Sequence, residues 1–273
     1  MEKLQKALQK ARESREGQAL DARPAVTAAR APVSTEGPWA ELAPFTPDPA
    51  VLHRHRIFSY IAQKEAAPFD VLRTKVFLAM RQNGWTRLAI TSPEQGCGKS
   101  TVACNLAFGL SRQTQTRTML LDLDMRRPGV AALLGCRPQH NMRDMLTGQV
   151  SPQDHMLCVN GNLALAMSGG STADPTDILT ARQTGEVLDT LQARYAPHVM
   201  IFDLGPMLQT DDARAVLKYV DCALVLAKAE QTRASHLDTC EREVGQLTNV
   251  LGVVLNDCRH VEAEADYYYQ GEV

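Results

Sequence analysis

The chain has 273 residues, 44% of them hydrophobic and 22% charged, with 29 Lys and Arg set against 31 Asp and Glu. That is an ordinary globular mixture with room for one large domain, and it argues against a chain that is disordered throughout. A net charge of −2 argues against attachment to nucleic acid by bulk electrostatics, and seven scattered cysteines with no C-x-x-C pair argue against a disulfide framework or a zinc site and for a reducing, cytoplasmic compartment.

Residues 1–16 read as a short helix, because Leu4, Ala7, Leu8 and Ala11 recur at helical spacing between charges. This start lacks the apolar stretch of a secretory signal, and no run in the chain is long enough to cross a bilayer, so any membrane association is expected through a partner. Residues 17–52, rich in Ala and Pro, read as a flexible linker, and residues 53–260 as a single domain. Within that domain Pro68 to Met80 has the pattern of an amphipathic helix opened by proline. From Thr86 onward short apolar runs alternate with helical segments. Strands are predicted at Leu88–Ile90, Met119–Leu121, Leu163–Ala166, Val199–Phe202, Cys222–Leu226 and Val250–Leu255. Helices are predicted at Lys99–Arg112, Gly185–Tyr195, Asp212–Tyr219 and Ala234–Leu247. Such alternation predicts an α/β fold, a mostly parallel sheet with helices on both faces. Residues 261–273 form a tail with four acidic residues, no basic ones, and the run Tyr267, Tyr268, Tyr269.

The most specific stretch is Ser92-Pro93-Glu94-Gln95-Gly96-Cys97-Gly98-Lys99-Ser100-Thr101, lying between a predicted strand and a predicted helix. Gly96 and Gly98 let main-chain N–H groups turn inward around phosphate oxygens, with Cys97 between them, and the helix N-terminus adds partial positive charge. Lys99 can reach the β- and γ-phosphates, and the Ser100 hydroxyl can ligate Mg²⁺. The standard loop carries Gly at position 93, where this chain has Pro, so the match is to a variant loop. Next, Leu120-Leu121-Asp122-Leu123-Asp124-Met125-Arg126-Arg127-Pro128 puts two carboxylates at the C-terminal end of a buried strand, where open α/β sheets bind ligands. Paired like charges call for a cation, and one of them can instead take a proton from an attacking hydroxyl. Asp203 closes the apolar run Val199–Phe202 in the arrangement that holds Mg²⁺ in phosphate-binding ATPases.

These pieces, in this order, resemble the bacterial tyrosine autokinases, specifically the cytoplasmic kinase component of capsule and exopolysaccharide systems. The resemblance runs from Arg56 to Val273 through FDVLRTKV, TSPEQGCGKSTVACNLA, LLDLDMRRP, VMIFDLGP, TDDARAVLKYVDCALVLAKAEQTR, LGVVLND and the tyrosine tail. It implies a deviant-Walker P-loop NTPase fold and an enzyme that uses ATP and Mg²⁺ to phosphorylate tail tyrosines, here Tyr267, Tyr268 and Tyr269. By position, Lys99, Ser100 and Thr101 would contact phosphate and metal. Asp122 would activate the acceptor hydroxyl, Asp124 and Asp203 would organise Mg²⁺ with Ser100, and Asn256 would read the adenine edge. The resemblance also implies a transmembrane chain-length regulator as activator, recruitment to the inner face of the plasma membrane, and a homo-oligomer built through the kinase domain. Glu94 stands where related ATPases that position cell components carry a signature Lys, which favours the kinase branch over a non-kinase ATPase switch. Leu204 and Gly205 replace the family's Thr and Pro, and of its E-x-x-R-x-x-R oligomerisation motif, falling on Ala67, Asp70 and Arg73, only Arg73 remains.

Overall fold

A computed structural model describes residues 37–258; the predicted helix 1–16, the first part of the linker and the tyrosine tail lie outside the described residues. Eight strands form one sheet: β1 (Ala43–Pro44), β2 (Arg87–Thr91), β3 (Thr118–Asp122), β4 (Leu157–Val159), β5 (Leu163–Ala166), β6 (Val199–Asp203), β7 (Cys222–Lys228) and β8 (Asn249–Asn256). Their spatial order is β1-β4-β5-β3-β6-β2-β7-β8. Every pairing is parallel except the antiparallel pair of β4 with β5.

The central strands are buried almost throughout and mostly apolar because both faces are covered. Side chains alternate between two cores. Met119, Leu121, Met200 and Phe202 face one side, with Leu188, Leu191 and Tyr195. Leu120, Val199 and Ile201 face the other, with Val102, Leu106 and Phe108. In chain order the helices are α1 (Pro49–Arg54), α2 (Ala67–Asn83), α3 (Lys99–Ser111), α4 (Val130–Leu133), α5 (Met142–Leu146), α6 (Pro152–His155), α7 (Thr176–Thr180), α8 (Arg182–Tyr195), α9 (Asp212–Leu217) and α10 (Ala234–Gly245). Helix α3 is buried almost all round beneath the second face, with α2 packed outside it through Val76 and Met80. Helix α2 ends at Gly84 in the left-handed conformation (φ +69°), a standard helix stop.

The linker predicted over 17–52 ends earlier than composition suggests. Trp39 and Leu52 are buried, and the Trp39 indole N–H donates to the Tyr195 carbonyl at 2.7 Å with the two rings edge to face. Residues Ala43 and Pro44 form the edge strand beside β4. The Pro-rich spacing hid these anchors because strand and helix here are too short to show a period. For the same reason β4 and the short helices α4 to α7 had no sequence signal, while the predicted helix at Gly185 begins three residues earlier, at Arg182.

Candidate nucleotide site

The loop between β2 and α3 has the backbone that phosphate binding needs. Gly96 and Gly98 hold φ of +81° and +88°. At Gly98 a Cβ would also press on Asn256 Nδ2, whose amide would have to move. Helix α3 starts at Lys99 with no side-chain cap and no acidic residue in its first turn. Its first N–H groups therefore have no side-chain acceptor, and its dipole favours an anion. The Cys97 thiol is buried, donating to the Glu94 carbonyl at 3.3 Å, so the loop presents this residue by its main chain.

Lys99 is buried among the carboxylates. Asp122 and Asp203 are register partners on neighbouring strands β3 and β6, so their backbones lie about 4.8 Å apart. Strand alternation turns both toward the face that carries α3, as for Leu120 and Ile201. Both are fully buried. Asp122 Oδ2 accepts from the Val130 N–H at 3.0 Å, while Asp122 Oδ1 and both oxygens of Asp203 are buried without a hydrogen-bond partner among the described residues. Burial, reinforced by Asp203, pushes the Asp122 carboxyl well above its usual range, against the opposing Val130 N–H. Burial likewise pushes Asp203 up to about 7, although the nearby Ser100 hydroxyl and Lys99 pull it down. Asp124, half-buried past the strand end, is also raised by burial, with Lys99 and Arg127 opposing.

Orphaned buried carboxylate oxygens beside Lys99 and Ser100 are the donor set of a hard cation, so the residues present fit Mg²⁺. Among the described residues no three His, Cys, Asp or Glu side chains close a cage of their own.

The structure thus brings together Gly96, Gly98, Lys99, Ser100, Asp122, Asp124, Asp203 and Asn256. Thr101 follows in the first turn of α3, its carbonyl accepting from Asn105 Nδ2 at 2.9 Å. Asn256, expected at the adenine edge, donates Nδ2 to the Cys97 carbonyl at 2.9 Å and so braces the loop directly. Tyr267, Tyr268 and Tyr269 lie outside the described residues. Sequence reasoning missed four supports. Asn105, buried in mid-helix, accepts from the Phe58 and Ser59 N–H groups and donates to the Arg56 carbonyl, tying that segment to α3. The Thr91 hydroxyl holds the Gly205 carbonyl at 2.9 Å, beside the Asp124 carboxylate. His236 pairs with Glu94. Arg126 is fixed to Asp212, which also accepts from the Thr176 hydroxyl. Only the paired arginines after Asp124 were visible as a motif. The others are recognised by what they touch. A cavity of about 170 Å³ opens next to Asp124, lined by Arg126, Arg127, Pro206, Gln209 and Thr210.

Residues 85–174 match a family model described as ParA, NUBPL iron-transfer P-loop NTPase. The tyrosine-protein kinase Wzc of Salmonella typhi is 29% identical over 208 residues, covering 74% of this chain and 28% of Wzc. This chain therefore spans little more than a quarter of that relative's length. The tyrosine-protein kinase YwqD of Bacillus subtilis is 25% identical over 211 residues, 74% of this chain and 85% of YwqD. Among solved structures the VpsO kinase domain superposes with a TM-score of 0.62 at 26% identity, over 70% of this chain and 95% of that domain.

Proposed function

We propose that this chain, a relative of the bacterial tyrosine kinases in sequence and fold, transfers the γ-phosphoryl group of ATP to tyrosine hydroxyls, with Tyr267, Tyr268 and Tyr269 of its own C-terminal segment as acceptors. The observation that carries this reading is the pair Asp122 and Asp203, buried with orphaned oxygens beside Lys99 and Ser100 at an uncapped helix N-terminus. The main-chain N–H groups from Gly96 to Ser100 grip the phosphates, and Lys99 spans β and γ. Ser100, Asp122 and Asp203 would hold Mg²⁺, which would supply neutralising charge for the transferred phosphate. Sequence alone gave the acceptor-activating role to Asp122. Its complete burial and its bond to Val130 favour Asp124 instead, the half-buried carboxylate that lines the open cavity.

Incubation with ATP and Mg²⁺ followed by phosphotyrosine detection tests this reading. Wild type is expected to label, Lys99→Met to stay blank, and the triple Tyr→Phe tail variant to lose most of the signal. Among the described residues no helix is long and apolar enough to cross a membrane. By its resemblance to kinases of capsule and exopolysaccharide systems, we assign the chain's work to the inner face of the membrane beside a transmembrane regulator of polysaccharide export, whose cytoplasmic tail belongs in the assay. The match to the ParA-type model favours a second reading, an ATPase switch without an acceptor tyrosine. ATP hydrolysis with no phosphotyrosine, the regulator tail included, would select it.

A further inference from the structure

We propose that Arg127 is a further catalytic residue, a cation delivered from the chain's own β3–α4 loop to the γ-phosphate as charge builds on it. The inference rests on the phosphoryl-transfer reading above.

Two adjacent arginines leave that loop with opposite fates. Arg126 is a strut. Its Nε pairs with Asp212 at 2.5 Å, its Nη1 donates to the Ala173 carbonyl at 2.8 Å, and Asp212 is nearly inaccessible. Arg127 is exposed, and among the described residues it makes no ion pair. Its root is nonetheless fixed, because its N–H donates to Asp124 Oδ1 at 3.2 Å and to the Asp124 carbonyl at 3.1 Å. Its guanidinium meets Gln95 Oε1 of the phosphate-binding loop at the surface. A neutral amide is a weak partner for a guanidinium, and a phosphate oxygen is a better one.

The charge balance calls for such a group. Lys99 is the one basic side chain of the phosphate loop and is shared by Asp203 and Asp124, and a bound triphosphate brings more negative charge than Lys99 and a divalent ion carry. Position 94 adds a further carboxylate, in hydrogen-bond contact with the His236 ring. Phosphoryl transfer spreads negative charge over the equatorial oxygens, and a positioned arginine is the recurrent answer. Arg127 already touches the loop at one side and lines the cavity next to Asp124 at the other. When nucleotide enters, its guanidinium exchanges Gln95 for a γ-phosphate oxygen. The acceptor oxygen then bonds to the γ-phosphorus as the bond from that phosphorus to the β–γ bridging oxygen breaks. ADP leaves with the electron pair, the acceptor proton passes to Asp124, and Arg127 stabilises the charge in between.

The test is calorimetry on the full chain with Mg²⁺, comparing a non-hydrolysable ATP analogue with ADP plus aluminium fluoride, for wild type, Arg127→Ala and Arg127→Lys, alongside kcat. Arg127→Ala is expected to hold the ATP analogue within about threefold of wild type. It should bind the aluminium fluoride complex on the order of 100-fold more weakly and lose kcat by at least that factor, with Arg127→Lys in between. Unchanged affinity for the fluoride complex overturns the proposal. So does an equal loss for both ligands, which marks a ground-state or structural contact. A wild-type chain that labels no tyrosine yet shows the selective loss in Arg127→Ala overturns only the kinase reading and supports Arg127 acting at an ATP-hydrolysing site.

Discussion

Asp122 and Asp203 sit in register on β3 and β6, both fully buried, and between them three of four carboxylate oxygens lack a hydrogen-bond partner among the described residues. A fold does not keep such a pair for its own stability, because burial and mutual repulsion both penalise the charged forms. The pair fits a cation site, and it makes metal-free stability depend on pH in a definite direction. Asp203 holds its proton up to about 7 in the folded chain, against 3.8 for an unperturbed carboxyl. The folded state thus binds the proton more tightly, so its contribution is full below about pH 4 and is lost as pH rises through 7. Denaturant titrations in EDTA should show stability falling over that window, and Mg²⁺ with nucleotide should cancel the fall. Asp203→Asn should stabilise the metal-free chain at pH 8 by roughly 1–3 kcal/mol while abolishing phosphoryl transfer. A metal-free profile that stays flat from pH 4 to 8 would falsify this account.

Gly98 and Asn256 are coupled through space. Gly98→Ala adds a Cβ against Asn256 Nδ2 at a residue with φ +88°, so it should cost roughly 1–3 kcal/mol and remove measurable nucleotide binding. Asn256→Ala removes the obstacle but also the brace on the Cys97 carbonyl. The double variant should therefore be less destabilised than the sum of the singles. Additive losses in a double-mutant cycle would show that the two side chains do not meet.

His155 gives a second pH dependence of opposite sign. It is buried with neither ring nitrogen hydrogen-bonded among the described residues. Burial, helped by His140 and opposed by Asp144, lowers its pKa to about 4 from 6.5. The unfolded chain takes the proton first, so stability is intact above about pH 6.5 and falls as pH drops toward 4, by up to about 3 kcal/mol. His155→Leu should flatten that acid limb in urea titrations run between pH 7 and 4.

Asp212 anchors the loop that carries Asp124. Asp212→Ala strands the Arg126 guanidinium and frees the Thr176 hydroxyl. Since Arg126 is about one-third exposed, the expected cost is discounted to roughly 1–3 kcal/mol. A larger effect is expected on kcat, because Asp124 and Arg127 lose their fixed base. Full kcat in this variant would mean the loop is held by other contacts.

Trp39 tests where the folded unit begins. Trp39→Ala removes a buried ring and the bond to the Tyr195 carbonyl, and should cost about 3–5 kcal/mol in chemical denaturation. A substitution in a true linker would leave the midpoint where it was.

The order of apolar strands, the glycines of the phosphate loop and the three aspartates were readable in the sequence, because each is a local pattern: strand runs buried on both faces, backbone positions that need glycine, and charges at strand ends. Tertiary structure alone decided how they act. Register between β3 and β6, set by strands 77 or more residues apart in sequence, buried Asp122 and left Asp124 at the rim. The same long-range packing brought Asn256 under Gly98, Arg127 onto Gln95 and Trp39 against Tyr195. A chain of residues specifies its own periodicity, but which side chains share a volume is settled only when distant strands align and water leaves the space between them.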